Sequence, residues 1–126
     1  MEEKKFLKLN DIVCYVSSYE LSNHVWAIVI KWDYFTKTSI GSQFARAMDS
    51  ISANIAEGFG RYNKKDKIKF YRYSVGSLYE CLDWNQKAFR RKLLTKEEYN
   101  FIFDKLMDIR PDIYHLINYT NEKLKI

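Results

Sequence analysis

Chain-breaking residues are scarce in this sequence: one proline, Pro111, and four glycines among 126 residues. Tight turns draw on those two residue types, so the chain has material for few connections and must spend its length on long regular elements. The apolar residues say which kind. Ile40, Phe44, Met48, Ile51, Ile55 and Phe59 recur at steps of three and four, the period of one helix face. Read this way, the pattern predicts helices over about 11–32, 39–61, 66–91 and 95–124. Short connections favour antiparallel neighbours, so the expected fold is all-α, an up-down-up-down four-helix bundle occupying residues 1–126 as one domain. A chain of this size buries roughly two-thirds of its unfolded surface and needs no staple.

Finer expectations follow from individual positions. Thr38 or Ser39 is the predicted N-cap of the second helix, and Thr95 with Glu98 forms a capping box for the fourth. Pro111 removes an amide donor and clashes with the Met107 carbonyl, at about 3 kcal/mol in a regular helix, so a kink is expected there. The first helix carries two apolar stripes: Ile12, Val16, Tyr19, Trp26 and Ile30, then Leu21, Val25, Ile28 and Trp32. Two stripes imply two surfaces to pack against. The third places Phe70, Ser77, Cys81, Trp84 and Ala88 on one side and Tyr71, Val75, Leu78, Leu82 and Phe89 on the next. The fourth runs through Tyr99, Ile102, Leu106, Ile109, Ile113, Leu116, Thr120 and Leu124.

Several function classes lack their parts. Cys14 and Cys81 have no CxxC partner and read as buried thiols in a reducing compartment. His24 and His115 lack ligand spacing, so no metal is expected. The longest apolar run, Val25 to Ile30, is far short of the ~20 residues that cross a bilayer, so no membrane role is expected. Without a Gly-rich phosphate loop or a nucleophile elbow, no cofactor or small-molecule substrate is expected either.

A second stripe on the second helix is polar: Ser50, Asn54, Glu57 and Arg61. Placed beside the apolar stripe, it is expected to meet the third helix, with Arg46, Ser50, Asn54, Glu57, Ser77 and Glu80 forming a buried polar network and Gly76 allowing close approach. The alternative is a solvated face. The segments "SQFARAMDSISANIAEGFGR" and "FYRYSVGSLYECLDW" resemble the family of 23S rRNA intervening-sequence proteins, ribosomal-protein-like four-helix bundles. The matching residues are Gln43, Arg46, Ala47, Ser50, Ile51, Asn54, Ile55, Ala56, Glu57, Gly58, Gly76, Ser77, Leu78 and Glu80. "DYFTKT" departs from the family pattern, which often has a Phe-Pro pair at that connection. The resemblance implies a bacterial cytoplasmic protein with no established enzymatic activity. It also implies a ring-like homopentamer, as in relatives that include the accessory protein of diversity-generating retroelements, to which nucleic-acid binding is attributed.

Two site readings remain. Arg61, Lys64, Lys65, Lys69, Arg72, Tyr79, Lys87 and Arg90 give the third helix and the loop before it a basic face interrupted by Asp83. Lysine and arginine neutralise phosphates and tyrosine stacks on unpaired bases, so RNA or DNA is the expected partner. A structural or interaction protein with a solvated basic face is the second reading. Arg110 and His115 resemble the Arg, four to six residues, His motif of HEPN ribonucleases, in which the His does acid–base chemistry and the Arg stabilises phosphate charge. The formal charge is +5, and aromatic residues make up 17% of the chain, more than one bundle interior needs. The surplus predicts self-association.

Overall fold

The computed structural model describes residues 7–126. A single 3-10 turn, Leu9–Asp11, leads into α1, Val13–Val29. Next comes a one-turn helix α2, Tyr34–Thr36, a π turn over Lys37–Gly41, and α3, Ser42–Phe59, without a break between them. Helix α4 spans Lys64–Arg90 and α5 spans Lys96–Lys123. The four long helices form the expected antiparallel bundle. Each packs on its chain neighbours, and α1 closes on α5, so α1 and α4 stand at diagonal corners.

The connections differ from expectation for local reasons. The helical rod containing α3 begins at Tyr34, because the Asp33 carboxylate accepts the Thr36 amide at 2.8 Å and caps it ahead of Thr38 and Ser39. Helix α1 ends at Val29 rather than Trp32, and Gly41 explains the closeness of the two rods there: a Cβ on it would come within 2.9 Å of Val29 Cγ1. Asn63 caps α4 through the Asp66 amide at 2.9 Å, starting that helix at Lys64. The Thr95–Glu98 capping box forms as expected. Pro111 sits inside α5, which nonetheless runs continuously to Lys123. At the other end of α4 the Leu93 amide donates to Ala88 and the Lys92 amide to Phe89, the paired bonds of a Schellman C-cap. Such a cap places its next residue in the left-handed region, and here that residue is Lys92, at φ 63°.

The core follows the helical period. Phe44, Met48, Ile51 and Ile55 of α3 meet Tyr71, Leu78 and Cys81 of α4 and Ile102, Leu106, Ile109 and Ile113 of α5, all buried. Helix α1 contributes Cys14, Leu21, Val25 and Val29. Ser18 and Ser22 are also buried there, their hydroxyls donating to Cys14 and Tyr19 carbonyls one turn back at 2.7 Å each. The first predicted α1 stripe behaves differently. Ile12 is buried and Val16 half-buried, but Tyr19, Trp26 and Ile30 are exposed.

The polar network between α3 and α4 does not form within the chain. Ser50 Oγ donates to the Arg46 carbonyl at 2.9 Å and Asn54 Nδ2 to the Ser50 carbonyl at 2.9 Å, both along α3 itself. Glu57 pairs with Arg61 at 2.7 Å on the surface, and Glu80 accepts from Trp84 Nε1 at 3.3 Å along α4. Gly76 faces open space, so it brings no backbones together. The physical reason is angular: the stripe lies too far around α3 to enter the seam. A buried link that does cross the seam is Ser74 Oγ, donating to the Ile51 carbonyl at 2.8 Å.

Candidate nucleic-acid interface

Helix α4 turns Ser74, Leu78, Cys81 and Asn85 inward, which leaves the opposite side to Lys65, Lys69, Arg72, Gly76, Tyr79, Asp83, Lys87 and Arg90. All of these are exposed except Lys87, which is half-buried. The stripe extends about 37 Å from Lys65 to Arg90 at ~1.5 Å per residue. Sequence reading therefore located a continuous outer face. Its cations are not equally available. Lys87 Nζ lies 2.7 Å from the Asp83 carboxylate and 4.7 Å from the Trp84 ring centroid. Arg61 is tied to Glu57 and lies 4.5 Å over Phe70, and Lys69 lies 5.3 Å from the same ring. Lys64 Nζ donates to the Asn121 carbonyl at 3.1 Å. Among the described residues, Lys65, Arg72 and Arg90 have no ion-pair or ring partner.

Lysine 67, absent from the predicted stripe, faces the other way. Its ammonium donates to the Phe59 carbonyl at 2.8 Å and serves the exposed end of α3. Burial holds its pKa below the usual lysine value. It is therefore a capping residue, distinct from the outer stripe.

The C-terminal end of α4 carries two grooves. One, of about 630 Å³, is walled by Phe35, Ser39, Trp84, Lys87 and Arg91, and the other, of about 770 Å³, by Asp83, Phe89, Arg90, Arg91 and Lys92. Arg91 and Lys92 escaped the period-based reading because they lie past the last helical turn. Their signal was the run Arg90, Arg91, Lys92.

Arg110 and His115 are not brought together. Five residues on one helix turn them about 140° apart. The His115 side chain is 78% exposed, with Asp112 4.0 Å from Nδ1, while Arg110 is half-buried with its Nε enclosed. Among the described residues no cluster of His, Cys, Asp and Glu could hold a metal ion, and no helix is long and apolar enough to cross a membrane. Both cysteines are free and buried.

Four long antiparallel helices with a cationic outer face define a helical-bundle protein. Residues 10–115 match the family described as 23S rRNA-intervening sequence protein, and the chain belongs to that family. Among solved structures, a crystal structure of a protein with unknown function from the S23 ribosomal protein family of Bacteroides thetaiotaomicron VPI-5482 superimposes with a TM-score of 0.74. The two chains are 20% identical, over 82% of this chain and 97% of that one, a likeness of fold. No curated protein matches the chain.

Proposed function

We propose that this protein is a non-enzymatic, bacterial cytoplasmic homo-oligomer that binds nucleic acid through the outer face of α4. The observation that carries this reading is the opposition of two chemically different faces. Trp26, 53% exposed, stands with Tyr19 and Ile30 on the outside of α1, and the cations stand on the outside of α4 at the diagonal corner. Exposed aromatic and aliphatic side chains in one stripe are what a self-contact uses, and a row of lysine and arginine is what a phosphate backbone uses. The family's name, with its reference to 23S rRNA, favours RNA. A closed ring of five copies is the assembly that the family resemblance adds.

Catalysis is left out because Arg110 and His115 diverge around α5. A nuclease needs its base and its phosphate-stabilising group on one reacting linkage.

The test has two arms. Light scattering at low micromolar concentration should give a multiple of the 15.2 kDa subunit, and a single-subunit mass removes the assembly. RNA affinity measured against salt should weaken with a slope set by the phosphate contacts, about 0.7 per contact on a single strand. Replacing Lys65, Lys69 and Arg72 together by Ala should weaken binding and flatten that slope. Weaker binding at unchanged slope would mean that these residues do not touch phosphate.

A further inference from the structure

The two grooves at the C-terminal end of α4 share a wall, since Lys87 and Arg91 line both. Aromatic carbon stands on either side of that wall: Phe35 and Trp84 in one groove, Phe89 in the other. Phe35 is 79% exposed and Phe89 38% exposed, so rings are offered to solvent on both sides of a cationic ridge. Lys87 is paired with Asp83, the one carboxylate in the grooves' walls, so the ridge's free charge is Arg91, extended by Arg90 and Lys92. Both volumes fall within the ~300–1,000 Å³ typical of ligand sites.

We propose that this end of the bundle is a seat for a short single-stranded nucleic-acid segment, with its backbone crossing the Lys87–Arg91 ridge and a base lodged in each flanking groove. The inference rests on the nucleic-acid reading above and locates it. Alternation of ring, cation and ring matches the alternation of base, phosphate and base along an unpaired strand. A duplex keeps its bases inside and cannot use the rings. Charge complementarity favours a polyanion.

Two details of the backbone agree. Lys92 occupies the left-handed position of the α4 cap, where glycine is the least strained residue, so a cation is kept at a conformational cost. Residues held in sparsely populated backbone regions concentrate at functional sites. The first groove is also walled by Thr38, Ser39 and Ile40 of the π turn, a rare geometry found disproportionately at such sites. The Thr38 and Ser39 hydroxyls donate to the Tyr34 and Phe35 carbonyls at 2.7 and 2.6 Å, which leaves each oxygen free to accept a further hydrogen bond. Lysines and arginines also suit a helix C-terminus electrostatically. That role requires neither the grooves nor Phe35, so Phe35 is the discriminating residue.

The experiment is fluorescence anisotropy with a labelled oligonucleotide of about ten residues, within the range of single-strand site sizes, as RNA, as DNA, and annealed to its complement. Single strands should bind more tightly than the duplex. Phe35→Ala should weaken single-strand binding about 5- to 150-fold, the range for loss of one stacked base, while leaving the melting temperature unchanged because the ring is exposed. Arg91→Ala should weaken it and lower the salt slope by about 0.7. Tryptophan emission should fall on binding in the parent and stay constant in Trp84→Phe.

Tighter binding of RNA than DNA would add a contact to the ribose hydroxyl, and equal binding would leave base and phosphate as the whole recognition; both support the seat. Equal affinity for duplex and single strand, an unaltered Phe35→Ala, or full competition by polyglutamate overturns it. If binding survives in Phe35→Ala and Arg91→Ala but is lost when Lys65, Lys69 and Arg72 are replaced, the strand lies at the other end of α4. The seat is then wrong and the nucleic-acid reading stands. Absence of binding by every probe removes both.

Discussion

The ring of Tyr71 fills the space where a side chain on residue 58 would stand: a Cβ placed on Gly58 would come within 2.7 Å of Tyr71 Cε1 and 2.9 Å of the Lys67 carbonyl oxygen. Tyr71 is buried, and a carbonyl on a neighbouring helix yields only by moving the whole helix. Gly58→Ala should therefore destabilise the bundle by about 1–3 kcal/mol from overpacking, less the ~1 kcal/mol that alanine gains in a helix interior. Gly76→Ala should do the opposite and add up to ~1 kcal/mol, since nothing lies within 4 Å of the added carbon. Urea titration of the two variants checks the pair. The same sign for both would contradict the packing described.

Ser74, absent from every stripe read from the sequence, makes the kind of cross-helix bond expected of Asn54. Ser74→Ala removes the buried bond to the Ile51 carbonyl and should cost about 1 kcal/mol. Asn54 bonds only its own helix, at the Ser50 carbonyl, so Asn54→Ala should stay within ~0.5 kcal/mol of the parent. A large loss at Asn54 would restore the cross-helix network.

Buried acids that resist ionisation make stability fall in alkali. Burial, with Asp112 nearby, pushes the Cys14 thiol from 9.0 to about 12. Burial, followed by Cys14, pushes the Tyr71 phenol from 10.0 to about 12, and the Cys81 thiol is also raised well above its ordinary value. A raised folded-state pKa means that the folded chain holds its proton longer than the unfolded one. The Cys14 contribution is thus fully present below pH 9.0 and is lost between there and about 12, at about 1.4 kcal/mol per pH unit. Denaturant midpoints at successive pH values should decline across this window, and Cys14→Ala should decline less steeply. Neither thiol should react with a thiol-specific reagent at pH 8 until the chain unfolds.

Lys92→Gly should stabilise the chain by about 1 kcal/mol, because glycine accepts the left-handed cap without the Cβ strain. Thermal denaturation measures it. An unchanged midpoint would place the lysine's cost elsewhere.

RNA incubated with the purified protein should be recovered intact, and His115→Ala should be indistinguishable from the parent. Cleavage that disappears in His115→Ala would return Arg110 and His115 to the catalytic reading.

Periodicity carried the fold because helix packing depends on it directly: Ile40, Phe44, Met48, Ile51 and Ile55 lie where a three-and-four stripe must lie, against the interior. It failed where two stripes compete on one helix. The α1 face of Tyr19, Trp26 and Ile30 is as apolar as its neighbour, yet the core takes the side where Ser18 and Ser22 permit close packing. The α3 polar stripe was misplaced by the same ambiguity, since one helix's pattern does not state which neighbour covers which flank. The outer face of α4 was legible from its spacing. The grooves beside it were not, because Phe35 and Arg91 stand 56 residues apart and meet only through the turn geometry at either end.

A π turn is one residue wider than an α turn. Loss of a single residue between Lys37 and Gly41 would let an ordinary α-helix run into α3 with Phe44, Met48 and Ile51 still in register. With α1 held in the core, the turn at Tyr34–Thr36 would rotate by about 100° relative to α3, carrying Tyr34 and Phe35 away from their present bearing. The aim of those two rings is thus written in chain length rather than in any side chain. A one-codon deletion or insertion is enough to redirect them, so this rim of the bundle can diverge between relatives while the interior stays the same.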